Sequence, residues 1–139
     1  MDPSFLFVCF GNICRSPMAV GITRKVLGNG VRAESAGIAA IGNAGASGEA
    51  VLVMRAVYGG DISAHRARNL DAIDPSAFDF VIALDLHVYG KIKEGSRVPE
   101  DKLFGWDIED PLGLGYDAYK KAAKKIESRL HQFLDRQGL

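Results

Sequence analysis

The residues with the most chemical promise lie together near the start of the chain, in Cys9-Phe10-Gly11-Asn12-Ile13-Cys14-Arg15-Ser16-Pro17. Cysteine is a nucleophile only as a thiolate, and an unperturbed one is a few per cent ionised at neutral pH. Six positions on stands Arg15, whose planar guanidinium can hold two oxygens of a tetrahedral oxyanion at once, which a lysine cannot do. Ser16 is the nearest hydroxyl that could donate to the sulfur. Pro17 suits the first turn of a helix, where its missing N–H is not needed. A short loop feeding a helix N-terminus turns its backbone N–H groups onto a bound anion. Phe10, Gly11, Asn12, Ile13, Cys14 and Ser16 would thus line an oxyanion trap, with Gly11 expected to let the loop turn tightly. The chemistry this favours is attack of Cys9 on a phosphoryl group clamped by Arg15.

Such a loop needs a strand before it and a helix behind it, and the pattern supplies both. Phe5 to Cys9 is a continuous apolar run, as expected of a parallel strand covered on both faces. Ser16-Pro17 opens a helix through Leu27, and Gly28-Asn29-Gly30 stops it. Val31 to Glu34 reads as a second strand, residues 36–48 as a loop, and Glu49 to Tyr58 as a second helix closed by Gly59-Gly60. Phe80 to Leu84 is a third, buried strand ending at Asp85, and Lys102 to Trp106 a short fourth. From Tyr116, apolar residues recur at Tyr119, Ala122, Ala123, Ile126, Leu130, Phe133 and Leu134, the period of an amphipathic helix. Strands alternating with helices predict an α/β fold with an open, doubly wound, four-stranded parallel sheet and helices on both faces. In such sheets ligands sit beyond the carboxyl ends of the strands, which is where Cys9, Asp85 and the loop carrying Asp110 fall.

Composition narrows the class further. The 139 residues suit one domain with a sizeable core. Seventeen basic and seventeen acidic side chains cancel, so the basic excess of a nucleic-acid binder is missing. The cluster Lys120, Lys121, Lys124, Lys125 has the spacing of a solvated helix face. The apolar opening is too short for a membrane span and lacks the flanks of a signal peptide. Two cysteines five positions apart cannot form a disulfide scaffold. A reducing, cytoplasmic setting is the expectation, or export by a route that needs no signal peptide. His65, His87 and His131 lack paired ligand spacing, which counts against a zinc module built on Cys9 and Cys14.

The stretch Val8 to Pro17 resembles the phosphate-binding loop of the low-molecular-weight protein tyrosine phosphatases. The resemblance continues in the family's order through Glu34-Ser35-Ala36-Gly37, His65-Arg66-Ala67-Arg68, the strand Phe80 to Leu84 with Asp85 at its end, and Asp110-Pro111. It implies a flavodoxin-like fold and hydrolysis of phosphotyrosine esters through a phosphocysteine intermediate. Cys9 would be the nucleophile and Arg15 the phosphate clamp. Asn12, Ser16 and Ser35 would hold the loop's shape, with His65 and Asp85 as supporting polar residues. Asp110 would be the general acid, required because an oxide leaves poorly unless protonated, and later the base that activates water. The mechanism calls for no metal or cofactor. The implied partners are phosphotyrosine proteins and, opposing them, a tyrosine kinase, with the enzyme a monomer or weak dimer.

The pattern departs from the family in one place. Many relatives have aromatic residues directly after the Asp-Pro pair, whereas this chain has Leu112-Gly113-Leu114-Gly115. Tyr116 and Trp106 are the nearby aromatics, and both read better as packing residues. Cys14 is either a reversible disulfide partner that shields Cys9 or a small apolar filler. Two other activities are known on this loop. Arsenate reductases relay electrons through later cysteines, and none follows Cys14. Relatives that cleave phosphoarginine carry threonine where Ile13 stands. A phosphate-binding module without catalysis would need neither nucleophile nor acid.

Overall fold

Four strands form one fully parallel sheet in the order β2-β1-β3-β4, in a computed structural model that describes residues 2–139. The strands are β1 (Ser4–Cys9), β2 (Arg32–Gly37), β3 (Phe80–Ala83) and β4 (Leu103–Gly105). Four α-helices accompany them: α1 (Arg15–Leu27), α2 (Gly48–Tyr58), α3 (Leu86–Gly95) and α4 (Tyr116–Gln137). β1 lies inside the sheet, so both of its faces are covered and every residue from Phe5 to Cys9 is buried. Phe5, Phe7 and Cys9 point into a core shared with α1, α2 and α4. Leu6 and Val8 point the other way, toward Val88 and Ile92 of α3 and toward Leu70 and Phe78 of the irregular 59–79 segment.

The site's position follows from the chain's direction across this sheet. From β1 the chain steps one way to β2, and from β3 it steps the opposite way to β4. Right-handed crossovers then put α1 and α3 on opposite faces. The ends of β1 and β3 part there, and the loops after them open a crevice at the point where the strand order reverses.

Most expected elements are present, with shifted ends. β2 runs on to Gly37 because Ser35, Ala36 and Gly37 pair with Phe7, Val8 and Cys9. Propensity alone would not extend a strand through Ser-Ala-Gly; the ladder to a central strand does. The sequence pattern did not announce α3. It buries only Val88 and Ile92 and holds Gly90 in its middle, so its apolar period is too sparse to stand out. Its start is nonetheless marked by Asp85, whose Oδ1 accepts the Val88 N–H at 2.7 Å, an N-cap. Beyond β4 the chain stays bonded to β3, with Trp106 N–H donating to the Ala83 carbonyl and Ile108 N–H to that of Leu84. Trp106 is buried against Phe7 and Phe133 and is a core residue. No helix among the described residues is long and apolar enough to cross a membrane.

Helix α4 is fastened to the sheet by Phe133. Its ring meets Phe80 and Phe104 edge-on at centroid distances of 5.0 and 4.9 Å, a favoured aromatic geometry. Replacing Phe133 with alanine removes these contacts and leaves a cavity, and should cost about 3–5 kcal/mol of stability. A urea unfolding midpoint would show it; a change under about 1 kcal/mol would mean that the cluster collapses to fill the gap.

Candidate active site

The loop after β1 closes on its own sulfur. Cys9 is 2% exposed, and the Asn12 backbone N–H donates to Cys9 Sγ at 3.2 Å. Ser16 Oγ lies 2.9 Å from the same sulfur. The Asn12 side chain sets the direction of that bond. Its Nδ2 donates to Ser16 Oγ at 2.8 Å and to Ser35 Oγ at 3.0 Å, so the Ser16 proton is free to point at Cys9. The sulfur thus has two potential donors, the Asn12 N–H and the Ser16 hydroxyl. Helix α1 adds to these, since its first turn carries neither an acidic residue nor a side-chain cap and leaves N–H groups free at the positive end of the dipole.

Asn12 is the hub of the loop. Its φ of 60° is left-handed, a region that asparagine tolerates better than most side chains. Gly11, expected to make the tight turn, has no positive φ, and a β-carbon there would meet only Ile13 Cγ1 at 3.8 Å. The turn belongs to Asn12, and the glycine the loop requires is Gly37. A β-carbon on Gly37 would lie 2.7 Å from the Phe10 carbonyl oxygen and 3.0 Å from Asn12 N, so only glycine lets β2 approach so closely. Asn12 is wholly buried, and each of its polar groups is used. Its Oδ1 accepts the Arg68 backbone N–H at 3.0 Å. Its carbonyl lies 2.6 Å from His65 Nε2, which must therefore be the protonated nitrogen that donates.

Arg68 earned no role from the sequence beyond its place in a motif, yet it braces the loop from behind. Its N–H serves Asn12, while its carbonyl accepts the Gly37 N–H. Its side chain donates to the Ser35 carbonyl and pairs with Glu34 at 2.7 Å. Hydrogen bonding from Arg68 holds the Glu34 carboxyl below its usual range.

Arg15 is 3% exposed and reaches across the crevice. Its NH1 donates to Asp85 Oδ2 at 2.7 Å and to the Ile108 carbonyl at 2.8 Å. Burial would raise the Asp85 carboxyl, but the Val88 N–H and Arg15 outweigh it and hold it low and charged. On the other edge of the guanidinium, Nε is buried without a partner, and NH2 lies 3.8 Å from Asp110 Oδ2. That edge is the one with two parallel donors, the arrangement that binds an oxyanion bidentately. A small cavity joins it to Cys9, Cys14, Asp110 and Leu112. Asp110 is half-exposed, and its Oδ1 accepts the Leu112 N–H, a local turn that fixes the carboxylate over the cavity mouth.

Cys14 also lines this cavity, but its sulfur turns toward α4. It lies 3.2 Å from the Tyr119 hydroxyl and 3.6 Å from Ser47 Oγ. Burial pushes this thiol up, against the pull of those two hydrogen bonds. Both cysteines are free in this structure. The two sulfurs therefore differ in kind: one surrounded by donors at a helix N-terminus, the other kept as a buried thiol.

Burial lowers the pKa of His65 from its ordinary 6.5. The unfolded chain takes up the proton more readily than the folded one, so this contribution to stability is complete above about pH 6.5 and is lost as pH falls through the folded value. His65→Gln keeps a donor for the Asn12 carbonyl without the titration. It should lose less stability than the wild type between about pH 7 and pH 5 in urea unfolding, and equal losses would contradict a half-buried imidazole that resists protonation.

The chain and its fold are similar to those of known proteins. Residues 4–138 match the family model described as low molecular weight phosphotyrosine protein phosphatase. A probable low-molecular-weight protein-tyrosine-phosphatase of Ralstonia nicotianae is 35% identical over 98% of this chain and 97% of that protein. A protein-arginine-phosphatase of Geobacillus stearothermophilus is 30% identical over 98% of this chain and 97% of its own length. Among solved structures, a low-molecular-weight protein tyrosine phosphatase from T. tengcongensis superposes with a TM-score of 0.87 at 36% identity, covering 97% of this chain and 99% of that one.

Proposed function

The chain belongs to the low-molecular-weight phosphotyrosine protein phosphatase family, a family of hydrolases, and from that premise we propose how its residues divide the reaction. The substrate is a phosphotyrosine side chain of a protein. Cys9 Sγ attacks phosphorus in line with the ester oxygen, and the P–O bond breaks as the new S–P bond forms. Asp110 gives its proton to the departing phenol oxygen. The phosphocysteine is then hydrolysed by water whose proton passes back to Asp110, releasing phosphate and restoring the thiolate. Arg15, the loop N–H groups and the first turn of α1 carry the charge of the three non-bridging oxygens through both steps. Asn12, Ser16, Ser35 and His65 keep the loop in shape, and Asp85 holds the Arg15 guanidinium in place.

The observation that carries this reading is the divided use of Arg15. One nitrogen is spent on Asp85 and the Ile108 carbonyl, which leaves the Nε–NH2 edge for the oxyanion beside Cys9 and Asp110. A fixed donor pair of this kind needs no reorganisation when charge develops in the transition state.

The rim suits a ring substrate held between aliphatic side chains and a single aromatic face. Leu112 and Phe10 line the opening and are half or more exposed, and Leu114 stands exposed two residues beyond Leu112. Phe10, from the loop itself, supplies an aromatic face that the residues after Pro111 lack. Ile13 lines the cavity and favours cleavage of the ester over the phosphoarginine reading. The two free thiols fit a reducing cytoplasm, where phosphotyrosine proteins and the kinase opposing this enzyme would meet it as a monomer or weak dimer.

Cys9→Ser should abolish turnover of para-nitrophenyl phosphate, and retained turnover would end the nucleophile assignment. Asp110→Asn should slow aryl phosphates with poor leaving groups by roughly 10²–10⁴-fold, and those with activated leaving groups far less. An equal loss across the series would remove Asp110 from the acid role. Paired peptides bearing phosphotyrosine or phosphoarginine would separate the two substrate classes, with phosphotyrosine expected to be preferred.

A further inference from the structure

A second cavity of about 360 Å³ adjoins the phosphate cavity, and the two share Phe10. Its floor is apolar, formed by Phe10, Ile38, Leu70 and Ile92. Ile38 is tied directly to the catalytic loop, since its N–H donates to the Cys9 carbonyl. One wall is the stripe His87, Lys91 and Gly95 of α3, residues four apart that share a helix face. Gly95 has open space where a side chain would stand, so the far end of the groove is clear. Asp85, the partner of Arg15, caps the start of this helix. The groove thus starts beside the clamp and leads away from it.

Its charge is uneven. Arg97 and Asp71 pair with each other at 3.3 Å, and Arg97 also donates to the Leu70 and Ile73 carbonyls. They frame the groove and cancel. Lys91 makes only a long, exposed ion pair with Glu94 of its own helix, at 4.0 Å with both side chains more than half exposed, and Glu94 itself does not line the groove. The net charge offered there is positive, over an apolar floor.

Resting on the phosphatase reading, we propose that this groove binds the stretch of substrate protein flanking the phosphorylated residue and selects a carboxylate there through Lys91. The dimensions agree. From His87 to Gly95 a helix advances about 12 Å, the span of three or four extended residues. With the phosphate held by Arg15, a flanking acidic residue one to three positions along comes within reach of Lys91, and its neighbours cover Ile38 and Leu70. Phe10 stands at the junction, touching both the reacting side chain and the flanking chain. Lys91 is a specificity residue in this account; it meets substrate but not the reacting atoms.

The test compares kcat/KM for phosphotyrosine peptides that differ only in carrying glutamate or lysine at the three positions on one side of the phosphotyrosine, with each side tried in turn. Para-nitrophenyl phosphate serves as a substrate too small to reach the groove. The glutamate peptide should be favoured by about fivefold on one side, the scale of an exposed ion pair. Lys91→Glu should erase or reverse that preference while leaving para-nitrophenyl phosphate turnover unchanged. An unchanged peptide ratio in Lys91→Glu, or no preference in the wild type, overturns the groove with the phosphatase reading intact. Loss of para-nitrophenyl phosphate turnover in the wild type overturns that reading, and the groove's role with it.

Discussion

A buried cation joins the three chain segments that make the site. Arg15 sits in the first turn of α1, its carboxylate partner caps α3, and its carbonyl partner lies on the segment between β4 and Asp110. A guanidinium with 3% exposure is tolerable only when paired and hydrogen-bonded, because removing it from water costs several kcal/mol. Asp85 and the Ile108 carbonyl meet that requirement on one side. The Nε on the other side stays unpartnered, and a buried donor in that state strongly favours an incoming oxyanion. The constraint that holds the loops together thus also creates the binding demand.

The loop itself is held by a second, independent network centred on Asn12. Its amide, carbonyl and backbone N–H reach Ser16, Ser35, Arg68, His65 and Cys9. These residues come from β1, α1, β2 and the 59–79 segment, so the network ties the loop to four parts of the chain. A loop that aims several N–H groups at one point must resist their mutual repulsion, and a fully satisfied buried network provides that rigidity. The half-buried His65 belongs to it: a charged imidazole would cost desolvation and face Arg66 and Arg68.

The surroundings of the cavity decide what ester can reach it. Aliphatic side chains and Phe10 make up much of the rim, and the α3 groove continues from it on one side. In the proposed reading, phosphate chemistry and substrate choice rest on different parts of the chain. The first would use a contiguous loop and two carboxylates; the second would use residues scattered over Ile38, Leu70 and α3.

What the sequence determined by itself was the local chemistry. Cys9, Arg15, Ser16 and Pro17 are contiguous, and a strand, loop and helix in direct succession dictate how they converge. The apolar run of β1 and the period of α4 were equally readable, since strong patterns are local. Tertiary structure decided what depends on distant backbone. Gly37 matters because β2 passes against the loop, Arg68 because its backbone meets Asn12, and α3 because two buried residues and a cap suffice once a sheet lies beneath it. The turn assigned to Gly11 proved to belong to Asn12, because partners from β2 and the 59–79 segment compensate the left-handed backbone. Sequence carries the groups proposed to react, but a hydrogen bond between residues dozens of positions apart has no local signature.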